Sequence, residues 1–180
     1  MRVETGNNAS IITFKGIIPK IHPSVFLCEG VKIIGDVEIG ENSSVWYNSV
    51  IRGDIHYIRI GSCTNVQDLS VLHVTNDKYP LNIGNNITIG HSVTLHGTTV
   101  HDNCMIGIGA RLLDGSMINS YSLVAAGAVV REGFEVPSGV LVAGVPAKII
   151  RELNDEERQR IEFSPKYYMQ YIADYKKYVW

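Results

Sequence analysis

Six histidines occur in this chain of 180 residues, and three of them, His73, His91 and His96, fall between Leu72 and Gly97. Three neutral imidazoles that leave a fourth position open form the ligand set of a catalytic Zn²⁺, which draws the pKa of its bound water to about 7. Geometry discriminates poorly among divalent ions at such a set, so Fe²⁺ or Co²⁺ is also accommodated. Cys28, Cys63 and Cys104 are dispersed and include no Cys-x-x-Cys pair. They read neither as a closed structural metal site nor as a disulfide framework, and a reducing, cytoplasmic setting is expected. A surface histidine is usually just solvated, and His22, His56 and His101 are read as solvated or hydrogen-bonded. For the other three, everything depends on whether the fold gathers them.

The elements that must do so are written as a repeat. An aliphatic residue recurs every six positions at Ile21, Leu27, Ile33, Ile39, Val45 and Ile51. After a three-residue slip the series resumes at Ile60, Val66 and Leu72, and an eleven-residue step leads to Ile83, Ile89 and Leu95. A five-residue step then opens the run Val100, Ile106, Leu112, Ile118, Val124 and Val130. Small or β-branched residues stand four places later in most units, as at Val25, Val31, Val37, Thr64, Val93, Ala110, Ser116 and Ala128. A helix would show spacing near 3.6 and a half-buried strand would alternate. A period of six fits short strands joined by turns, and Gly35-Asp36, Gly40-Glu41-Asn42 and Gly84-Asn85-Asn86 supply the turn chemistry. One such unit cannot bury its own face, but stacked coils share a continuous core.

If three hexads make a coil, equivalent positions lie 18 residues apart plus insertions. His73 and His96 each follow an inward aliphatic residue, so strand alternation points both outward. Their separation of 23 is 18 plus the five extra residues between Leu72 and Ile83. Both imidazoles therefore belong on one outer face of adjacent coils, about 4.8 Å apart. Arg52, 21 residues before His73, lies one coil below it through the three-residue slip. His91 sits two places after Ile89, at a corner and one coil above Asp68. A corner cannot converge with that pair inside one prism, but it can across a three-fold interface. A site shared between subunits follows.

Composition adds exclusions rather than a function. The chain is 45% hydrophobic and 19% charged with a formal net charge of −2, which leaves no electrostatic footprint for nucleic acid or an anionic membrane. No apolar run approaches the roughly 18 residues that a span needs. The stretch from Met1 to Ser10 lacks the apolar core of a signal peptide. Residues 1–150 are assigned to the solenoid and 151–180 to a helical tail packed on it. Pro146 ends the repeat, and Asn154 with Glu157 reads as a capping box. Ser164-Pro165 reads as a second N-cap and N1 pair that should split or kink the helix. Tyr167, Tyr168, Tyr171, Tyr175 and Tyr178 have helical spacing and are expected mostly to pack on the solenoid's flank.

Ile51-Arg52-Gly53-Asp54, Asn65-Val66-Gln67-Asp68, Val71-Leu72-His73 and the run Ile89 to Gly97, with its His91-x4-His96-Gly97 element, resemble the motifs of gamma-class carbonic anhydrases. The likeness continues through Leu113-Asp114-Gly115 and Ala143-Gly144-Val145-Pro146-Ala147 into the tail. It implies an all-β solenoid, a left-handed parallel β-helix of hexapeptide repeats with a C-terminal α-helix. The hand comes from the resemblance alone, since general crossover rules favour the right hand. It further implies a homotrimeric Zn²⁺-dependent lyase that hydrates CO₂ reversibly to bicarbonate. His73 and His96 of one subunit and His91 of its neighbour would ligate the metal. Gln67 would position water or bicarbonate, and Asn65 would lie near the CO₂ pocket. Arg52 and Asp54 would form an inter-subunit ion pair, either with a part in catalysis or as a purely structural bridge. Asp68 would be an alternative ion-pair partner or an acceptor fixing a tautomer. Tyr168 resembles a tyrosine that closes the site, with Tyr167 the competing register.

Two departures qualify the activity. Ile55 follows Asp54 where the best characterised members carry a catalytic glutamate, and the short Val74 to Pro80 loop has Asp77 as its sole acid. Fast hydration needs a group that carries protons to buffer. The competing readings are a metal-free acyltransferase or thioesterase of the same fold, and a metal-holding trimer without turnover.

Overall fold

The computed structural model describes residues 2–4 and 8–178; of the N-terminal stretch read for a leader core, residues 1 and 5–7 lie outside the described ones. Short parallel strands wind about seven turns of a β-solenoid that ends in one α-helix. Every inward aliphatic of the repeat from Leu27 to Val130 is buried, with Ile33, Ile51, Leu72, Leu95 and Leu112 fully so. Each such side chain contributes about 1.5–3 kcal/mol through removal from water. The small residues four places later stitch neighbouring coils. Ser43, Ser49 and Ser70 donate from Oγ to the carbonyls of Gly61, Gln67 and Gly90 at 2.8, 2.9 and 3.1 Å.

One wall stacks strands Val50–Ile60, Val71–His73, Thr94–His96, Arg111–Leu112 and Val129–Val130 in register. Another stacks Ser44–Val45, Asn65–Val66, Thr88–Ile89, Met105–Ile106 and Leu123–Val124. The strand Val50–Ile60 turns a corner and joins two walls into a single 13-stranded sheet. Against its neighbour Lys32–Ile39, Gly35 pairs with Gly53 but Val37 pairs with Ile58. The three-residue slip is therefore a bulge, and a bulge re-aims the side chains it carries. Asp54, Ile55 and His56 occupy it. The eleven-residue step becomes a tight loop closed by a bridge between Thr75 and Tyr79.

The solenoid closes with the antiparallel pair Val140–Gly144 and Ala147–Glu152, after which the helix runs Asp155–Tyr178. Its capping box forms: Glu157 N–H donates to Asn154 Oδ1 at 2.8 Å, and Asn154 N–H donates to Glu157 Oε2 at 3.0 Å. The helix is not split at Pro165. Pro165 is buried in a continuous helix beside Ile161 and Ile172, so packing outweighs the one hydrogen bond proline forfeits. Ser164 accepts a hydrogen bond from Thr88 Oγ1 at 2.8 Å instead of capping a second helix. Tyr168 and Tyr175 pack with Phe26, Cys28, Trp46 and Ile172, whereas Tyr167, Tyr171 and Tyr178 are exposed, contrary to the expected packing of most of the tyrosines.

Candidate metal centre

The wall supplies the first two imidazoles. Leu72 pairs with Leu95 and His73 with His96, and because the leucines point inward the histidines point out. His73 Nδ1 and His96 Nε2 face each other at 3.1 Å. The outer nitrogens are both engaged: His73 Nε2 lies 3.1 Å from Asp54 Oδ1, and His96 Nδ1 lies 2.6 Å from Asp114 Oδ1. Burial pushes the Asp54 carboxyl up, but hydrogen bonds from Arg52 and His73 outweigh it and hold the group below its ordinary range. Burial likewise opposes a net lowering at Asp114, where Thr75 and His96 donate. Burial also lowers His73, which keeps that imidazole neutral.

An ionised carboxylate can only accept, so where both rings are neutral each turns its N–H toward its aspartate and its lone pair toward the other ring. Two lone pairs at 3.1 Å repel unless a cation lies between them. Ring nitrogens sharing one tetrahedral Zn²⁺ at 2.0–2.1 Å are about 3.3 Å apart. The donor set fits a divalent metal of that kind.

Arg52 Nη1 donates to Asp54 Oδ2 at 2.6 Å within one chain. The two expected ion-pair partners already meet within one chain, because the bulge carries Asp54 back over the strand that bears Arg52. Asp114 and Thr75, whose Oγ1 donates to Asp114 Oδ2 at 2.6 Å, were not singled out as site residues from sequence. A usable signal existed: counting coils puts Asp114 above Gly97, directly beside His96, and Gly115 N–H donates to Gly97 O at 2.7 Å.

His91 stands at a corner, away from the His73–His96 pair. His91 Nδ1 lies 2.6 Å from Asp68 Oδ2, so Asp68 takes the tautomer-fixing position and leaves His91 Nε2 facing out. Asn65 and Gln67 lie below, both buried, with Gln67 Nε2 donating to Asn65 Oδ1 at 3.1 Å and Asn65 Nδ2 donating to Thr88 Oγ1 at 2.9 Å. Trp46, Asp68, His91, Tyr168, Tyr171 and Tyr175 line a cleft of about 320 Å³. Tyr168 stands edge-on to Trp46 at 5.3 Å, while Tyr167 is exposed beside Phe163. The Tyr168 register is the one that faces His91. Burial pushes its phenol up to about 12.

The structure therefore sorts the sequence-derived residues into two groups. Arg52, Asp54, His73 and His96 stand together on the wall, and Asn65, Gln67, His91 and Tyr168 stand together around the corner. Among the described residues of one chain, no three His, Cys, Asp or Glu side chains converge on a point that could hold a metal. Ile55 is exposed at a second cleft, of about 350 Å³, lined also by Asp54, His56 and Asp77. His56 Nδ1 accepts from Tyr57 N–H at 2.9 Å. Among the described residues no helix is long and apolar enough to cross a membrane.

A family model described as bacterial transferase hexapeptide (six repeats) matches residues 18–53. The chain is 43% identical over 156 residues to gamma carbonic anhydrase 2, mitochondrial, of Arabidopsis thaliana, a match covering 84% of this chain and 56% of that protein. It thus spans about half the length of the plant relatives it matches. It is 39% identical over 166 residues to a carbonic anhydrase of Geobacillus kaustophilus, covering 92% and 91% of the two chains. A hexapeptide transferase family protein from Anaplasma phagocytophilum superposes with a TM-score of 0.88 at 36% identity, covering 93% and 98%. With the hexad ladder and the paired histidines in place, these likenesses make the chain a member of the gamma-class carbonic anhydrase family of hexapeptide-repeat, left-handed β-helix proteins.

Proposed function

We propose that this chain catalyses the reversible hydration of CO₂ to bicarbonate in a homotrimer, on Zn²⁺ held by His73 and His96 of one subunit and by His91 of its neighbour. The observation that carries the reading is the 3.1 Å approach of two ring nitrogens whose outer N–H groups are fixed on Asp54 and Asp114. When bound, a divalent metal supplies a Lewis acid that makes water a nucleophile at neutral pH. The chain's own residues do the rest. Asp54, Asp114 and Asp68 set the three tautomers, and Arg52 balances the charge of Asp54. Gln67, tethered to Asn65 through its amide nitrogen, would offer its carbonyl oxygen as an acceptor to a water bound there. Trp46 and Tyr168 form an apolar wall that favours CO₂ over bulk water. Tyr168, its phenol raised to about 12, stays protonated and acts by shape. The free Cys28, Cys63 and Cys104 support a reducing, cytoplasmic setting.

Two inactive variants test the sharing directly. His91→Ala and His73→Ala chains, each inactive alone, are unfolded together and refolded as mixed trimers. Random pairing around a closed ring returns about a quarter of the sites, read as Zn²⁺ content and stopped-flow CO₂ hydration. No recovery on mixing overturns the shared site. Zn²⁺ in the wild-type trimer with no hydration activity leaves the metal-holding scaffold, a reading favoured by Ile55 and the short loop. Acyl transfer that survives chelation favours the transferase reading, supported by the hexapeptide transferase likeness.

A further inference from the structure

The Val74 to Pro80 loop is short and has Asp77 as its sole acid, but it has a use of its own. Thr75 N–H donates to Tyr79 O at 3.0 Å and Tyr79 N–H donates to Thr75 O at 3.3 Å, which makes the loop a closed clip. From it, Thr75 Oγ1 reaches Asp114, 39 residues away in sequence, at 2.6 Å. The other oxygen of the same carboxylate meets His96 Nδ1 at 2.6 Å. Two glycines make room for this arrangement. A Cβ on Gly97 would collide with Asp114 Oδ1 and lie 2.7 Å from Tyr79 Cβ, and one on Gly115 would lie 2.9 Å from the Tyr79 ring. Hydroxyl, ring and glycines together leave Asp114 one seat.

We propose that Thr75 and Asp114 are a positioning pair that holds His96 with its proton on Nδ1 and aims its Nε2 lone pair at the point His73 Nδ1 also faces. The inference rests on the metal reading above and assigns a role to residues outside the ligand set. Asp54 and Asp114 are not equivalent. Asp54 divides its charge between His73 and Arg52, whereas Asp114 makes no ion pair with Lys or Arg among the described residues, and the Lys78 charge acts on it only without contact. Its partners are a neutral hydroxyl and the imidazole, so its orienting effect falls on His96. Partners of this kind around a metal ligand are worth about 10- to 100-fold in metal affinity.

The test uses the full-length chain and two readouts. ¹⁵N-histidine NMR of the metal-free protein reports which nitrogen of His96 carries the proton, and chelator competition reports Zn²⁺ affinity. Wild type should show His96 protonated on Nδ1. Asp114→Ala should move that proton toward Nε2 and weaken Zn²⁺ by about 10- to 100-fold. Asp114→Asn, whose amide oxygen still accepts, should keep the tautomer and lose less, and Thr75→Val should lose least. A wild-type tautomer and wild-type affinity in Asp114→Ala overturn the proposal. Should that variant not fold, an unchanged affinity in both Asp114→Asn and Thr75→Val overturns it instead. A wild-type chain that binds no Zn²⁺ removes both this inference and the carbonic anhydrase reading, whereas equal binding by all chains removes this inference alone.

Discussion

His73 and His96 sit on a flat wall, in register on adjacent coils, each backed by an aspartate. His91 sits at a corner, 45% exposed, with Asp68 behind it and the aromatic side of the C-terminal helix beside it. The wall is a product of the ladder. Parallel strands about 4.8 Å apart bring two stacked side chains within reach of one ion, and a third rung is already about twice as far away. The rungs on either side confirm the limit, since Arg52 and Leu113 occupy the equivalent outward positions. A solenoid wall can therefore offer two imidazoles to a metal but not three. The corner offers one, aimed outward, and its surroundings come from the tail rather than from the repeat.

Removing a wall ligand should have the largest effect. His96→Ala is expected to take Zn²⁺ content from one per chain to near zero and CO₂ hydration to background, with the trimer intact by sedimentation. Retained metal at full stoichiometry would break the claim that the wall is the primary half. The corner depends instead on its aromatic packing. Trp46, 5% exposed and edge-on to Tyr168 and Tyr175, holds the helix beside His91. Trp46→Ala should cost about 3–5 kcal/mol in a urea melt at fixed chain concentration. The His73 and His96 tautomers should be unmoved, and ¹⁵N shifts that change with this variant would show the two halves to be coupled.

Acid should loosen the start of the C-terminal helix. Hydrogen bonds from Arg151 and from the Asn154 backbone hold Glu157 down to about 2. Its ordinary value is about 4.3, so the stability it gives the helix start is present above that value and is lost as pH falls through about 2. Trp46 fluorescence should report helix release in that window while far-UV dichroism still shows strands; simultaneous loss of both signals would contradict a separately anchored tail. The smallest effect belongs to Tyr168→Phe. A phenol at about 12 is a poor proton carrier near neutrality, so the rate should fall by less than about tenfold, whereas a loss of about 10² would assign it acid–base work.

The solenoid was open to reading because its signal is periodic. A buried aliphatic at every sixth place dictates inward positions, and whatever follows it must point out, so the His73–His96 pair and the Arg52 rung could be counted. The tail was harder. Pro165 carries the local signature of a helix start, yet it is buried mid-helix, because contacts with the solenoid that no local pattern encodes outweigh one missing hydrogen bond. The same holds for the aromatic residues, where helical spacing could not tell which tyrosines of the run face Trp46 and which face water.

The order of residues was sufficient for the coil count, the placement of two imidazoles on one wall and the phase that sets His91 apart, because strand alternation and a fixed repeat are geometric rules. For the two wall histidines, only the folded chain decided which aspartate serves which ring. Asp54 reaches His73 through a bulge, and Asp114 reaches His96 from a turn braced by Thr75. Such contacts depend on where a side chain swings once its coil is closed. Hydrogen-bond direction, and with it the aim of each lone pair, is therefore a property of the tertiary structure and not of spacing.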